Sequence, residues 1–271
     1  MHLSIAKPWT GRAALLLLGG VLSGVAPAPA GAQAFASHSS AGEPVRSRSA
    51  LGRIAVGERA LYDLRLAGRG VGSGSLEVLG EERIGGYTAL RTRLQVSGGV
   101  FFARVDDRFE SWIDPHLLFS RRFVQDQKEL TSKRYRDYHL APEQRTYRQA
   151  DSGEEGVLTT SEPLDDVSFL FYSRTLPLKV GDVDTIPRYF KAGHDVILRV
   201  LRKERITVPA GTFETIVVQP TITNAGGLFG QGGQAELYFS DDSARVLVML
   251  KSRVPVVGSL SLHLKEFRKG Q

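Results

Sequence analysis

The chain has 271 residues, no cysteine, and a formal charge of +6 from 35 basic and 29 acidic side chains. Without cysteine there can be no disulfide, no thiolate nucleophile or thiolate metal site, and no lipidated residue behind a signal. The basic excess is mild and spread along the chain, so it suits an anionic envelope surface without singling out a polyanionic partner.

At the N-terminus, Lys7 and Arg12 precede an apolar run from Ala13 to Val25, which is interrupted by Gly19, Gly20 and Gly24 and ends before Pro27. A spanning helix needs ~20 predominantly apolar residues. The run is too short for that, and the small residues around Ala32-Gln33-Ala34 mark a cleavage site. Residues 1–34 are therefore expected to be a signal peptide, with export to the periplasm or cell envelope and no transmembrane segment after its removal. Residues 35–52, rich in Ser, Gly and Ala and lacking apolar periodicity, are expected to be a disordered linker.

Residues 53–271 are expected to form a single antiparallel β domain. Short runs of period two, separated by Gly, Pro or Asp, begin at "RALYDLRL" and continue through "GSLEVLGEERI", "YTALRTRLQV" and "FFARVDDRFESWI". "LLFSRRFVQDQ", "KRYRDYHL" and "QRTYRQA" follow, and after an interruption come "DTIPRYFKA", "DVILRVLRKERITV", "ETIVVQPTIT", "QAELYFS", "RVLVMLKSRV" and "GSLSLHLKEF". The interruption predicts one short helix near 164–176. Leu164, Val167, Leu170 and Arg174 fall at helical spacing, Asp165 and Asp166 favour its first turn, and Pro177 ends it. About a dozen strands in series must curl or split. The expected fold is mainly β, an antiparallel curved sheet or open β-barrel with one inserted helix; a two-layer sandwich is the alternative.

The stretch Phe101–Pro115 holds four carboxylates and one of the two tryptophans. As one strand it places Phe101, Ala103, Val105, Asp107, Phe109, Ser111 and Ile113 on one face, and Arg104, Asp106, Arg108, Glu110 and Trp112 on the other. The same-face acids Asp106 and Glu110 would then stand about 13 Å apart. That is beyond both the ~5.5 Å of a retaining glycosidase pair and the ~9.5 Å limit of an inverting one. A turn at Asp114-Pro115 would bring "LLFSRRFV" alongside, with Glu110 opposite Arg121 and Trp112 opposite Phe119. Asp107 is the one acid on the apolar face, and Arg122 is its candidate ion-pair partner.

Other motifs are weaker. The glycines of "GRGVGSGSLEV" lie between strands, not before a helix, so they read as a hairpin turn instead of a phosphate loop. "NAGGLFGQGGQ" carries Leu228 and Phe229 in a second glycine-rich connection. "SKRYRDYHLAPEQRTYRQ" interleaves basic and aromatic residues, which reads as a charged outer face or edge strand, with anionic lipid or polysaccharide contact as the alternative. His38, His116, His139, His194 and His263 are isolated and lack metal-ligand spacing.

Three stretches, "VGERALYDLRLAGRGVGSGSLEV", "VDDRFESWIDPHLLFSRRF" and "LPLKVGD…ITVPAGTFETIVVQP", resemble the exported bacterial family catalogued as domain of unknown function 3108. In "VPAGTFET", Pro209 presets a turn and Gly211 relieves it, with Val208 and Phe213 entering the flanking strands. The resemblance implies an exported envelope protein and carries over no catalytic residue. The expected function is a non-enzymatic binding module for an apolar or amphipathic envelope ligand, with Asp107, Phe109, Trp112, Arg122 and Phe213 as ligand-binding candidates and Phe101 as a further lining residue. The alternatives are an envelope glycan hydrolase using Asp107 or Glu110 with a distant acid, and a scaffold docking another envelope protein along a strand edge. Neither cofactor, metal nor nucleic acid is expected; a lipid, a polysaccharide or an envelope protein is the expected class of partner.

Overall fold

The computed structural model describes residues 52–100, 103–129, 133–191, 195–222, 234–254 and 258–271. The expected signal and nearly all of the expected linker lie outside the described residues, as do Phe101, Leu228 and Phe229.

Among the described residues, fourteen strands form one antiparallel sheet. They are β1 (Arg59–Leu66), β2 (Arg69–Ile84), β3 (Tyr87–Val100), β4 (Ala103–Ile113), β5 (Ser120–Glu129), β6 (Lys133–Ala141), β7 (Thr146–Gln149) and β8 (Glu155–Val157). After α1 (Asp166–Ser173) come β9 (Val183–Ile186), β10 (Val196–Val208), β11 (Gly211–Ile222), β12 (Gln234–Ser240), β13 (Leu247–Val254) and β14 (Gly258–Arg268). The first eight strands meander one way from β1 and the last six meander the other way from β14; β1 pairs with β14, so the two arms join into one sheet. The sheet is not closed, and β8 and β9 are its edges. Its inward residues, from Tyr62 and Leu64 through Phe109 and Phe123 to Leu237 and Leu262, form a single continuous core. The open, barrel-like curl is therefore the observed form, and the two-layer sandwich is not.

Turn chemistry fixes the register locally. Ala67 and Gly68 (φ 47° and 83°) make a two-residue hairpin joining β1 to β2, with Leu66 opposite Arg69. Positive φ at both central residues is the type I′ pattern, which follows the twist of the strands. The other glycines of this stretch lie within β2, not in a turn, which corrects the sequence reading. At Gly72 a Cβ would run into the backbone of Ser97 and Gly98, and at Gly98 into that of Val71 and Gly72. Glycine here lets the two backbones approach where the sheet curls. The β10–β11 turn at Pro209-Ala210 has Val208 opposite Gly211 (φ 133°), as "VPAG" predicts.

The helix lies between β8 and β9 in the chain and packs against β3 and β4. It is shorter than the 164–176 expected, because Asp165 rather than an earlier residue is its N-cap. Asp165 Oδ1 accepts from the Val167 and Ser168 amides at 2.8 Å, and the Ser168 hydroxyl oxygen accepts from the Asp165 amide at 2.8 Å, completing a capping box. Val167, Phe169, Leu170 and Phe171 enter the core. The preceding backbone bridges the sheet: the Ser120 amide donates to Pro163 O at 2.7 Å, Leu164 donates to Arg188 O at 2.6 Å, and Phe190 donates to Leu164 O at 2.9 Å. At the far end of α1, Arg174 reaches Glu58, just before β1, at 2.6 Å. The helix thus spans one end of the curl, from the β4–β5 side to the β1 side.

Candidate functional site

The inner face of β4–β7 is ordered in rows, which the register makes explicit. In the row nearest α1, Thr92, Ser111, Phe123, Tyr138 and Gln149 stand side by side. The next row away from the helix is Leu94, Phe109, Gln125 and Arg136, and the one beyond it is Val96, Asp107, Gln127 and Arg134. Side chains at paired positions share a face, so the aromatic layer gives way to a polar one toward the end opposite α1.

The aromatic layer is tightly organised. Phe109 stacks on Phe123 (centroids 6.5 Å, interplanar 20°) and Phe123 on Tyr138 (6.4 Å, 15°). Phe190, from the segment after β9, closes against Tyr138 at 4.9 Å and meets Phe123 and Tyr147 edge-on. In the polar layer Asp107 has no solvent exposure; its Oδ1 accepts from the Lys128 amide at 3.2 Å and its Oδ2 from Gln127 Nε2 at 3.5 Å. Gln125 and Gln127 are also buried. The inner positions of β10–β14 and β1 are mostly apolar: Val196, Ile222, Ala235, Leu250, Leu260 and Leu64 belong to the core cluster, with buried Ser252 between Ala235 and Leu260.

Burial perturbs the titratable groups around the aromatic layer and α1. Burial pushes the Tyr138 hydroxyl up to about 12, partly offset by the nearby Arg136. Burial also lowers Lys191, whose Nζ lies 5.0 Å from the Tyr138 ring centroid. Deeper in, Asp165 is raised by burial and eased by hydrogen bonds from Ser111, Ser120 and the Ser168 and Val167 amides; Ser111 donates to its Oδ2 at 2.6 Å. Asp166 is pushed up to about 7 by burial and by the charge of Asp165, and it accepts from the Tyr189 hydroxyl at 3.0 Å. These two acids cap and anchor α1, and Asp165 spends its acceptors on that task.

A family profile described as "Protein of unknown function (DUF3108)" matches residues 61–265. The chain belongs to this family. Comparison with curated proteins finds no match. Among solved structures, the DUF3108 chain is similar to a β-barrel-like protein of domain of unknown function DUF1849 from Brucella abortus, at 10% identity and TM-score 0.48, over 80% of this chain and 99% of that one. It is also similar to a candidate lipoprotein from Parabacteroides distasonis at 11% identity and TM-score 0.38, over 82% of this chain and 100% of the other. A third, a candidate exported protein with a YmcC-like fold from Bacteroides fragilis, is 10% identical with TM-score 0.35, over 82% and 100% of the two chains.

The structure does not bring the five expected ligand-binding residues of the DUF3108 chain together. Asp107 and Phe109 share the inner face of β4, whereas Trp112 and Arg122 are paired on the outer face, and Phe213 packs at the core margin beside the β10–β11 turn. Arg122 does not pair with Asp107: its Nε and Nη2 reach Asp137 at 2.9 and 2.7 Å. The expected β4–β5 register also fails. Asp114 Oδ1 accepts from the His116 and Leu117 amides, Leu118 adopts φ 57°, and a bulge after Trp112 shifts the pairing. Glu110 therefore lies opposite Val124 and Trp112 opposite Arg122. Glu110 binds Arg91 and Arg93 on β3 instead of Arg121, which goes to Glu143. Trp112 lies between the guanidiniums of Arg91 (5.3 Å) and Arg122 (4.6 Å) and donates to Glu82 at 2.6 Å, away from Phe119.

Sequence reasoning missed Gln125, Gln127, Arg134, Arg136 and Lys191. Arg134 and Arg136 were assigned to an outer face or edge strand. β6 is not an edge, since β7 and β8 lie beyond it, and the two arginines share a face with Tyr138 and Leu140. The signal was present in the sequence as the parity of Arg134 and Arg136 with Leu140.

Proposed function

We propose that this DUF3108 protein is a non-catalytic binding module of the bacterial cell envelope that takes an amphipathic ligand at the end of the curl opposite α1. The observation that carries the reading is the two-sided character of the inner face. Inner positions of β4–β6 carry Asp107, Gln125, Gln127, Arg134 and Arg136, whereas those of β10–β14 and β1 are mostly apolar. A sheet curled only for stability gains from apolar residues at every inward position, and each buried polar group costs free energy unless it is satisfied. Pockets that combine an apolar lining with a few convergent polar groups suit ligands having both characters. The apolar run and cleavage site at the N-terminus support export.

The two alternatives have less support. Asp107 and Glu110 lie on opposite faces of β4, and Glu110 is held by two guanidiniums, so they do not form an acid pair on one substrate. The sheet edges are three and four residues long and carry Glu155 and Asp184, a short charged form that discourages strand addition.

Native mass spectrometry of protein recovered from its own periplasm, without exposure to detergent, tests the reading. We expect a bound species that organic extraction removes. Protein found only at the bare polypeptide mass would overturn the proposal.

A further inference from the structure

Asp165 and Asp166 stand side by side at the start of α1 and are held in different ways. Asp165 is wholly buried, and its oxygens accept from the Val167 and Ser168 amides and the Ser111 hydroxyl, so its charge is well supported. Asp166 accepts instead from the Tyr189 hydroxyl at 3.0 Å. Tyr189 belongs to the segment that follows β9, at the end of one arm of the sheet. Its neighbours on either side bind the backbone just ahead of α1: the Leu164 amide donates to Arg188 O, and the Phe190 amide donates to Leu164 O. Phe190 then packs on Phe123, Tyr138 and Tyr147, which belong to the other arm. The Asp166–Tyr189 bond is thus a side-chain tie between α1 and a segment whose phenylalanine completes the aromatic layer.

The charged groups around this tie do not favour an ionised Asp166. Arg188 binds Glu162 and lies over the Tyr172 ring, and Lys191 lies over the rings of Tyr138 and Phe190. β4 and β5 present the uncharged Ser111 and Ser120, both of which serve Asp165, and from β6 Tyr138 acts on Tyr189. A second negative charge beside that of Asp165 is unfavourable while the segment is closed and tolerable once water reaches it. We infer that Asp166 and Tyr189 form a pH-sensitive latch, closed while Asp166 is protonated, whose release lets the 188–190 segment lift and uncovers the aromatic layer of β5–β7. The latch operates whether or not the proposed ligand binds. Burial and the Asp165 charge push Asp166 up to about 7 from the usual 3.8, against the smaller opposing effect of Tyr189. A carboxyl raised in the closed form favours closure fully below its open-state value, and that preference is lost as pH rises to the closed value. Opening should therefore become easier by up to about tenfold per pH unit between about pH 4 and pH 7, and level off above that.

Hydrogen–deuterium exchange of the whole protein across this pH range, corrected for the intrinsic exchange rate, tests the latch. We expect the Leu164 and Phe190 amides to lose at least about tenfold in protection between about pH 5 and pH 7, while the amides of β4 and β5 keep theirs. In Asp166→Asn, which cannot ionise, protection of the same two amides should stay flat. Tyr189→Phe should lower it in acid, where the parent is latched. A flat profile in the parent, or a fall that persists in Asp166→Asn, would overturn the latch. Parallel loss of protection in β4 and β5 would also overturn it, because the whole fold would then be opening. Unchanged protection in Tyr189→Phe would remove the hydroxyl from the device and overturn the pairing as stated.

Discussion

At the scale of single residues, the Glu58–Arg174 pair carries the largest consequence for stability. Their side chains are 8% and 3% exposed, the guanidinium reaches both carboxylate oxygens at 2.6 and 3.3 Å, and it also donates to Ala244 O at 3.0 Å. Removing one partner strands a buried charge, which typically costs about 3–5 kcal/mol. Glu58→Gln should lower the denaturation midpoint accordingly, and Glu58→Met with Arg174→Met together should lose less than Glu58→Gln alone. Asp166 supplies a prediction about pH. Its folded pKa is raised to about 7 against the usual 3.8. The stability it permits is thus fully present below the unfolded value and is lost as pH rises through the folded one. Asp166→Asn keeps an acceptor for Tyr189, so it should raise stability by roughly 1–2 kcal/mol at pH 8 and change little near pH 4. Thermal melts of parent and variant at the two pH values check the sign; a variant less stable at pH 8 would contradict it.

At the scale of elements, the turns decide pairing. The β1–β2 hairpin places Ala67 at φ 47° on the exposed surface, a conformation that costs alanine more than asparagine. Ala67→Asn creates an Asn-Gly turn and should stabilise by about 0.5–1 kcal/mol, read as a shift in urea midpoint at unchanged slope. The β4–β5 connection shows the opposite lesson. Asp114 begins a turn, but the turn extends to Phe119, whose carbonyl accepts from the Asp114 amide at 2.8 Å. With the bulge that follows, the outer face of β4 meets a different set of partners than a two-residue loop would provide. The partners of Glu110 come from the β3 side instead, in a Glu82–Arg91–Glu110–Arg93 chain, and the Trp112 hydrogen bond is the main cause that lowers Glu82.

At the scale of the whole molecule, the curl depends on close approach of β2 and β3 near the end opposite α1. Gly72 and Gly98 lie opposite one another, and a Cβ on either would enter the partner's backbone. Backbone cannot yield as a flexible side chain can, so Gly72→Ala should cost on the order of 2–3 kcal/mol or more. Gly80→Ala, where a Cβ meets open space, is the matched control and should leave the midpoint within about 0.5 kcal/mol. Equal midpoints for the two variants would show that the approach is not needed. The Pro163–Leu164 backbone ties β5 to the segment before β10, and α1 crosses one end of the curl against β3 and β4. Local pairing therefore builds two arms, and only long-range contacts curl them into one shape.

The alternation of apolar and polar residues determined the strands, the antiparallel order, the short helix and the inward parity of Asp107 and Phe109. These follow from a side-chain period of two and from turn residues, both local properties of the chain. Family membership was legible too, because turns such as "VPAG" carry their geometry in a few adjacent residues. Tertiary structure decided what local pattern leaves open. The turn that runs to Phe119 and the bulge after Trp112 together moved the β4–β5 pairing, so Glu110 meets Val124 and Trp112 meets Arg122 instead of Arg121 and Phe119. Strand order placed β6 inside the sheet, turning Arg134 and Arg136 from expected surface charges into part of an inner wall. Lys191 reaches Tyr138 only because the segment after β9 crosses to β6–β7. A contact across more than fifty residues depends on how the sheet curls, and no local periodicity records it.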